Sequence, residues 1–370
     1  MTDKNLMQDN QNDKQISQNS VARKHLQVLL CSSRDMVIGA GTLIASLLYN
    51  SASAVQFTFY IASSKTDSRI LKQGLQQRLE KLRKSFDFEY FFIELDDDAL
   101  FSEIKPRLEN LVKKINRNLS EATFYRLIAL GMHCYKERYL LYLDTDVLND
   151  GSLEPLLDQI KKAQAEGSKE LIMAASDRPD LNDYAVRELG MKGQGYFNSG
   201  VMVVDTEQWR QEDLSRKAFE ILLARCTNMA DQDALNVLAE GRVRWIDRCF
   251  DTILHAKNSE EKLKEGTVFY HFTGADKPWK PWLEPDDPKV KLYRSYLKLL
   301  EPDESAWWNL GKSSDDGNSA LWQPSSIHDC KLVAHLMLKK GRVLSFLRWR
   351  LKQIRMKAQR LGFWRTLLGF

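Results

Sequence analysis

Short runs of apolar residues alternate along the chain with longer stretches in which apolar residues recur at helical spacing. The first three runs cover residues 26–31, 55–61 and 88–95 and have the length of buried strands. Between them, residues 36–48 are rich in small apolar side chains, and residues 68–84 place leucines on one face of a helix. Strands that alternate with helices in this way predict parallel β–α–β units, in which ligands bind at the carboxyl ends of the strands.

The same alternation continues through the middle of the chain. The predicted elements are a helix at about 121–136, strands at 138–146, 171–175 and 201–205, a helix at 206–225 and a strand at 267–271. The last strand leads into a loop punctuated by Gly, Pro and Trp. The pattern as a whole predicts an α/β fold with a mostly parallel central sheet and flanking helices.

Composition and charge narrow the class of protein. The chain has 370 residues, of which 43% are hydrophobic and 28% charged, as expected for a globular protein with a sizeable core. A net charge of +4 does not favour nucleic-acid binding. The five cysteines lack the spacing of a disulfide framework or zinc site, and residues 1–20 lack the features of a signal peptide. A cytoplasmic location is therefore expected, and the apolar stretch at 36–48 is too short to cross a bilayer.

Composition also divides the chain into four regions. We predict a disordered N-terminal arm at 1–24, a folded domain at 25–300, an acidic and polar linker at 301–330 and a basic region at 331–370. The basic region contains no Asp or Glu and interleaves Lys and Arg with Leu, Phe and Trp. This pattern is typical of an amphipathic helix that lies on an anionic membrane surface. The alternative is a terminal helix that packs on the core.

The candidate chemistry begins with Asp144-Thr145-Asp146, which ends an apolar strand. Two carboxylates one residue apart can both reach a hard cation such as Mg²⁺ or Mn²⁺ and leave its other positions open to phosphate oxygens. A triplet of this kind is also common in solvated acidic turns. Other residues of the sequence are therefore needed to distinguish a cation site from such a turn.

Four further segments accompany the triplet: ATFYR at 122–126, YFNSGVMVVD at 196–205, MADQDALN at 229–236 and HFTGADKPW at 271–279. Taken in order, the segments resemble the pattern of glycosyltransferase family 8, which includes bacterial lipopolysaccharide galactosyl- and glucosyltransferases. The resemblance spans about residues 28–282. It implies a GT-A fold over 25–300, a UDP-glucose or UDP-galactose donor, Mn²⁺ (or Mg²⁺) and transfer with retention to a glycan or glycolipid acceptor.

The resemblance also assigns roles to residues. The metal ligands would be Asp144, Asp146 and His271, with Lys277 beside the departing diphosphate and Gly274 allowing the backbone close to its oxygens. The other residues implied in donor binding are Ser33, Asp35, Arg126, Thr145, Asp177, Asn198, Asp231 and Gln232. The first loop departs from the family, because it lacks the usual aromatic residue and offers Asp35 and Met36 to the nucleotide base.

Several alternatives remain open at this point. Gln232 occupies the place of a nucleophile, and because an amide is a poor nucleophile we favour attack by the acceptor on the face that the leaving group vacates. A covalent intermediate on Asp231 or Asp177 is the other route. A metal-dependent nucleotidyltransferase would require a Gly-rich phosphate loop after the first strand, which residues 32–35 do not supply. A non-catalytic, membrane-tethered scaffold is the third possibility.

Overall fold

The structure is a computed structural model that describes residues 23–115, 120–224, 227–308 and 326–360. The strands are β1 (Lys24–Cys31), β2 (Val55–Ser63), β3 (Phe88–Glu94), β4 (Tyr139–Asp144), β5 (Val147–Asn149), β6 (Ile172–Ser176), β7 (Phe197–Asp205), β8 (Val243–Ile246), β9 (Thr252–Leu254) and β10 (Phe269–Phe272). The helices are α1 (Val37–Ser51), α2 (Lys65–Leu82), α3 (Ala99–Ile115), α4 (Tyr125–Ala129), α5 (Glu154–Glu166), α6 (Pro179–Tyr184), α7 (Thr206–Gln211), α8 (Leu214–Ala224), α9 (Asp231–Ala239), α10 (Pro288–Leu300), α11 (Ile327–Lys339) and α12 (Val343–Arg360).

Seven strands form a central sheet in the order β3-β2-β1-β4-β7-β6-β8. Strands β3, β2, β1 and β4 are parallel neighbours, whereas β7 runs antiparallel to both β4 and β6. Because Cys31 lies opposite Asp144 in the pairing of β1 with β4, the loops that follow these two strands leave the sheet at the same edge. The predicted α/β fold with a mostly parallel central sheet is confirmed.

Helix α1 is made of small and apolar residues because it is almost completely buried. Helix α1 is apolar on all sides, and 13 of its 15 residues are buried between the sheet and α10. Its glycines allow this close packing: a Cβ on Gly39 would stand 2.2 Å from the carbonyl oxygen of Thr145, and one on Gly41 would meet Leu300 at 2.4 Å. The first turn of α1 is thereby held against the carboxylate-bearing end of β4.

Two predicted helices differ from the structure. The helix expected at 121–136 is a 3₁₀ turn at Glu121–Phe124 followed by the short α4, and residues beyond it form turns. The helix stops because the Tyr135 hydroxyl donates to the carbonyl of Ala129 at 2.5 Å, and Gly131 packs directly on Ser215. The helix expected at 206–225 is broken into α7 and α8, since Asp213 takes a positive φ of 51° between them.

The strand expected at 201–205 begins earlier, at Phe197, so Gly200 lies inside β7 and not in a turn before it. The amide side chain of Asn236 on α9 extends the strand, because it bonds both the N–H and the carbonyl of Phe197 at 2.8 and 3.0 Å. A second, three-stranded sheet was not predicted and has the order β5-β10-β9. Its strands have three or four residues each, too few for a periodic pattern.

Helix α11 begins at the end of the predicted linker and continues into the basic region, α12 lies within the basic region, and the two helices pack extensively on each other. Cys330, Val333, Met337 and Trp349 are buried and belong to the same apolar cluster as α1 and β1. The alternative of a terminal helix that packs on the core therefore applies to this face of the pair. Residues 1–22 of the predicted arm, 309–325 of the linker and 361–370 of the basic region lie outside the described residues.

Candidate active site

The carboxyl end of β4 and the small second sheet bring the predicted metal ligands together. After Asp144 the chain turns through Thr145 and Asp146 and enters β5, which pairs antiparallel with β10 so that Val147 lies opposite His271. The backbone N–H of Phe272 donates to the carbonyl of Asp146 at 2.9 Å. Backbone hydrogen bonds thus hold Asp146 and His271 side by side.

Asp144, Asp146 and His271 form a compact cluster whose candidate ligand atoms all lie within 4.8 Å of one another. The Nε2 atom of His271 is 3.3 Å from Asp146 Oδ1 and 3.8 Å from Asp144 Oδ2. Two carboxylates and one imidazole are a donor set that suits Mn²⁺, and three ligands leave further positions for water or substrate oxygens. The residues therefore fit a divalent cation.

Lys277 completes one side of this cluster. Its Nζ atom donates to Asp146 Oδ2 at 2.5 Å and to the carbonyl of Phe272 at 2.8 Å. Burial acts to raise the pKa of Asp146, but the charges of Lys277 and His271 outweigh it and hold that pKa well below its usual range. Asp146 is accordingly a carboxylate at any physiological pH, as a metal ligand must be.

Arg126 lies between Asp144 and Asp231 and pairs with both carboxylates. Its guanidinium Nη1 is 3.2 Å from Asp144 Oδ1, and its Nε is 2.6 Å from Asp231 Oδ2. Arg126 is buried and stacks on the ring of Tyr142, whose hydroxyl donates to Asp144 at 2.5 Å. Burial raises the pKa of Asp231 to about 6 against the opposing effect of Arg126.

A second network carries the polar residues predicted to contact the sugar. Asp177 Oδ2 accepts hydrogen bonds from Asn198 Nδ2 and Gln232 Nε2, both at 3.0 Å. The Gln232 Oε1 atom accepts from the N–H of Ser199 at 3.1 Å, and Ser199 in turn bonds Arg126 through its carbonyl at 2.7 Å. All of these side chains are buried, so they form one preorganised polar wall that reaches from Asp177 to Asp144.

The remaining predicted residues lie around this centre. Ser33 and Asp35 follow β1 at the edge where β4 also ends, and Ser33 directly precedes a short 3₁₀ turn at Arg34–Met36. Thr145 is buried with its carbonyl against Gly39, and Gly274 is exposed with a φ of 82° in the loop after β10. The fold thus gathers the predicted residues at one sheet edge, although their individual roles remain predictions.

Sequence reasoning missed two residues that contact the cluster. Asp251, between β8 and β9, is buried, and its Oδ1 atom lies 3.0 Å from His271 Nδ1. Gly200 lies so close to the His271 ring that a Cβ there would stand 2.1 Å from its Cε1 atom. Burial works against a charged imidazole, but Asp251 and Asp146 together raise the pKa of His271 well above its usual value. No motif spacing links Asp251 or Gly200 to His271.

A mixed sheet of this order, with two aspartates and a histidine gathered beside it, has the architecture of the GT-A class of glycosyltransferases. The sequence profile described as "Glycosyl transferase family 8" matches residues 27–283, which is more than half of the chain. The chain therefore belongs to glycosyl transferase family 8, and it is an enzyme of the hexosyltransferase class. The resemblance found in the sequence is confirmed.

Relatives and solved structures agree with this assignment. The chain is 25% identical to the lipopolysaccharide glucosyltransferase WaaO of Escherichia coli, over 86% of this chain and 87% of the relative. It is 29% identical to a lipopolysaccharide 1,3-galactosyltransferase of Salmonella typhimurium, over 67% and 71% of the two chains. Its fold matches the crystal structure of the galactosyltransferase LgtC in complex with donor and acceptor sugar analogues, with a TM-score of 0.51 and 18% identity over 74% of this chain and 95% of that chain.

Proposed function

We propose that this enzyme transfers a glucose or galactose residue from a UDP-sugar to a glycan or glycolipid acceptor, with retention of the anomeric configuration and with Mn²⁺ (or Mg²⁺) as cofactor. The observation that carries the proposal is the cluster of Asp144, Asp146 and His271 with Lys277 bonded to one of its carboxylates. A cation site with a lysine beside it suits a diphosphate leaving group. The lipopolysaccharide acceptors named for the relatives support an acceptor in bacterial surface glycolipid synthesis.

In this proposal Asp144, Asp146 and His271 would hold the cation, which would supply positive charge to the diphosphate leaving group. Lys277 exchanges its bond to Asp146 for one to a phosphate oxygen and stabilises the same developing charge. Asn198 and Asp177 orient the sugar hydroxyls, and the base and ribose lie over the loop that contains Ser33 and Asp35.

The hydrogen bonds of Gln232 support attack by the acceptor on the vacated face. Its amide nitrogen donates to Asp177 and its amide oxygen accepts from Ser199, so the side chain is fixed as a neutral positioning group. Asp231 is held by Arg126, which lowers its nucleophilicity. In this route the departing phosphate takes the proton of the acceptor hydroxyl. A glycosyl adduct trapped on Asp231 or Asp177 would contradict it.

The test is incubation of the protein with a panel of UDP-sugars in the presence of Mn²⁺, with released UDP as the readout. We expect UDP release from UDP-glucose or UDP-galactose and none without a divalent cation. A thermal-shift measurement with UDP is the companion assay, because UDP should stabilise the protein far more in the presence of Mn²⁺ than in its absence. An absence of both turnover and binding with every donor would overturn the proposal.

We further propose that α12 holds the enzyme at the cytoplasmic face of a membrane that contains anionic lipid. No helix in the described residues is long and apolar enough to cross a membrane. One face of α12 packs inward through Trp349 and Gln353, while a second apolar stripe is exposed; its members are Leu344, Leu347, Leu351 and Ile354. At 100° per residue, basic side chains flank this stripe on both sides: Arg348, Lys352, Arg355, Arg350 and Lys357.

The exposed stripe makes a direct prediction for vesicle binding. The double variant Leu347→Asp/Leu351→Asp should lose sedimentation with vesicles that contain phosphatidylglycerol, because it places two charges in the face that would enter the headgroup layer. The matched control is Leu223→Asp/Leu299→Asp, which also adds two charges at exposed leucines, one on α8 and one on α10, and should leave sedimentation unchanged. Equal sedimentation of both variants would count against membrane contact through α12.

Asp251 makes a second prediction, for metal affinity. A carboxylate that bonds the remote nitrogen of a metal-binding histidine fixes the ring and strengthens it as a ligand, and its loss commonly weakens binding about 10- to 100-fold. We expect Asp251→Leu to lower Mn²⁺ affinity by that amount and Asp251→Asn, which keeps an acceptor for His271 Nδ1, to lower it less. Calorimetric titration with Mn²⁺ measures both.

Asp247→Asn is the control for this pair, since the Asp247 side chain is exposed and accepts a hydrogen bond from the N–H of Cys249. Its Mn²⁺ affinity should equal that of the unaltered protein. Equal affinities of the two Asp251 variants and the control would show that Asp251 does not support His271.

A further inference from the structure

A buried ion pair connects the C-terminal helical pair to the loop that contains Lys277. Lys280 is 7% exposed and Asp329, in the first turn of α11, is 5% exposed. The Nζ atom of Lys280 is 3.1 Å from Asp329 Oδ1. A charge this deeply buried is stable only with its partner, so the two residues fix the distance between the loop and α11.

Lys280 and Lys277 belong to the same turn of the loop. The backbone N–H of Lys280 donates to the carbonyl of Lys277 at 2.9 Å. The side chain of Lys277 extends to Asp146 in the metal cluster, whereas that of Lys280 extends to Asp329. One turn therefore has one lysine bonded to the candidate active site and the other bonded to the C-terminal helices.

A second contact from α11 reaches the same loop. The His328 ring lies edge-on to Trp282 at 6.5 Å between centroids, and His328 Nε2 is 3.8 Å from Asp276 Oδ1. Trp282 donates to that same Asp276 oxygen at 3.0 Å. The first turn of α11 therefore contacts the loop on either side of Lys277, at Asp276 and at Lys280.

We propose that Asp329 is a positioning residue of the active site, which acts through Lys280 to hold Lys277 where the departing diphosphate develops its charge. This inference rests on the role proposed above for Lys277. It makes the C-terminal helices part of the diphosphate site as well as the candidate membrane contact. The loop keeps other anchors, because Arg294 donates to the carbonyl of Lys280 at 2.8 Å and Trp308 to that of Trp279 at 2.7 Å. Loss of Asp329 should therefore shift the loop without unfolding the protein.

The test is a double-mutant cycle on donor turnover. Asp329→Asn should lower kcat at least about tenfold with a smaller change in the donor KM, because Lys277 acts on charge that is largest in the transition state. In a protein that already carries Lys277→Ala, the same substitution should have almost no further effect. Mn²⁺ affinity should stay within about twofold, since Asp329 contacts none of the three ligands. Additive losses, or an unchanged kcat, would overturn the proposal.

Hydrogen exchange gives a readout that does not depend on turnover. Asp329→Asn should speed exchange of the backbone amides at 273–283 and leave the amides of β1 and β4 unchanged. Faster exchange in a protein that releases no UDP from any donor would contradict the proposed function, but it would still support the coupling of Asp329 to the loop at 273–283. Unchanged exchange would contradict the coupling whatever the activity.

The control is Glu304→Gln, which removes an exposed ion pair with Lys298 from the same part of the chain and should change neither readout. If Asp329→Asn fails to fold, Lys280→Met/Asp329→Leu removes both buried charges together and preserves packing. We then expect Lys280→Met/Asp329→Leu to lower kcat as Asp329→Asn would, and to cause almost no further loss in a protein that already carries Lys277→Ala. An unchanged kcat, or a further loss in the Lys277→Ala protein, would overturn the proposal.

Discussion

Replacing Asp146 by Asn should lower kcat/KM for the sugar donor by about 1,000-fold, which corresponds to roughly 4 kcal/mol of transition-state stabilisation. Asp146 combines two functions in the proposed site: one oxygen lies 3.3 Å from His271 Nε2 and the other accepts the bond from Lys277. A neutral amide removes the charge that binds the cation and also leaves Lys277 without its carboxylate partner. Titration with Mn²⁺ and steady-state UDP release measure the two effects separately.

Asp150→Asn is the matched control, because Asp150 lies four residues along the same chain segment and accepts a hydrogen bond from the Tyr296 hydroxyl at 2.7 Å. It does not belong to the cluster of Asp144, Asp146 and His271. We expect full Mn²⁺ affinity and turnover from this variant. Retention of Mn²⁺-dependent turnover by Asp146→Asn would reject the cluster as the cation site.

The sequence predicted the first half of the fold well, because its strands and helices are long enough to carry a period. The runs at 26–31, 55–61 and 88–95 each correspond to a strand within two residues at either end. The pattern failed for the helix at 121–136, where a side chain bonds the backbone at the end of the helix. The helix expected to reach residue 136 ends at Ala129, whose carbonyl bonds the Tyr135 hydroxyl, and such a contact cannot be read from apolar spacing.

Some residues of the candidate site could be predicted from the sequence and others could not. Asp144, Asp146 and His271 were predictable because they stand in segments whose order along the chain is characteristic, and the structure gathers them within 4.8 Å. Asp251 was not predictable because it belongs to none of these segments. Gly200 lies in one of them, at 196–205, but its contact with the His271 ring arises from packing and could not be predicted from the segment. Their contacts exist only because β7, β9 and β10 meet beside that ring.

The C-terminal region shows why composition alone left two interpretations open. Its basic and aromatic residues predicted a membrane-facing helix, with packing on the core as the alternative. The structure gives α12 an inward face at Trp349 and Gln353 and an outward apolar stripe headed by Leu344, which is 84% exposed. One helix can carry an inward face and an exposed apolar stripe at different angles around its axis. Composition does not record on which face a residue lies. Asp329, which pairs with Lys280 in the loop after β10, lies just before the segment defined by its basic composition.

Gly200→Ala should abolish Mn²⁺-dependent turnover nearly as completely as loss of a metal ligand, with a fall in kcat/KM of at least about 100-fold, or roughly 3 kcal/mol. A Cβ at this position would stand 2.1 Å from His271 Cε1, 2.6 Å from Nδ1 and 2.9 Å from Nε2. The ring is buried and bonded to Asp251 on its far nitrogen, so it must leave the position in which Nε2 faces Asp146. Mn²⁺ titration and UDP release are the measurements.

Crowding, and not backbone strain, is the cause expected for this loss, because Gly200 is absent from the residues with positive φ. Overpacking of this kind costs about 1–3 kcal/mol of stability, which thermal unfolding should detect. In a His271→Ala background the ring is gone, so Gly200→Ala should then cost no further stability. Gly266→Ala is the control: at a φ of 77° it meets no atom within 4 Å, so it introduces strain without crowding and should keep full turnover. If Gly200→Ala bound Mn²⁺ normally, the ring could move without loss of function, and the rigid support of His271 by β7 and Asp251 would be refuted.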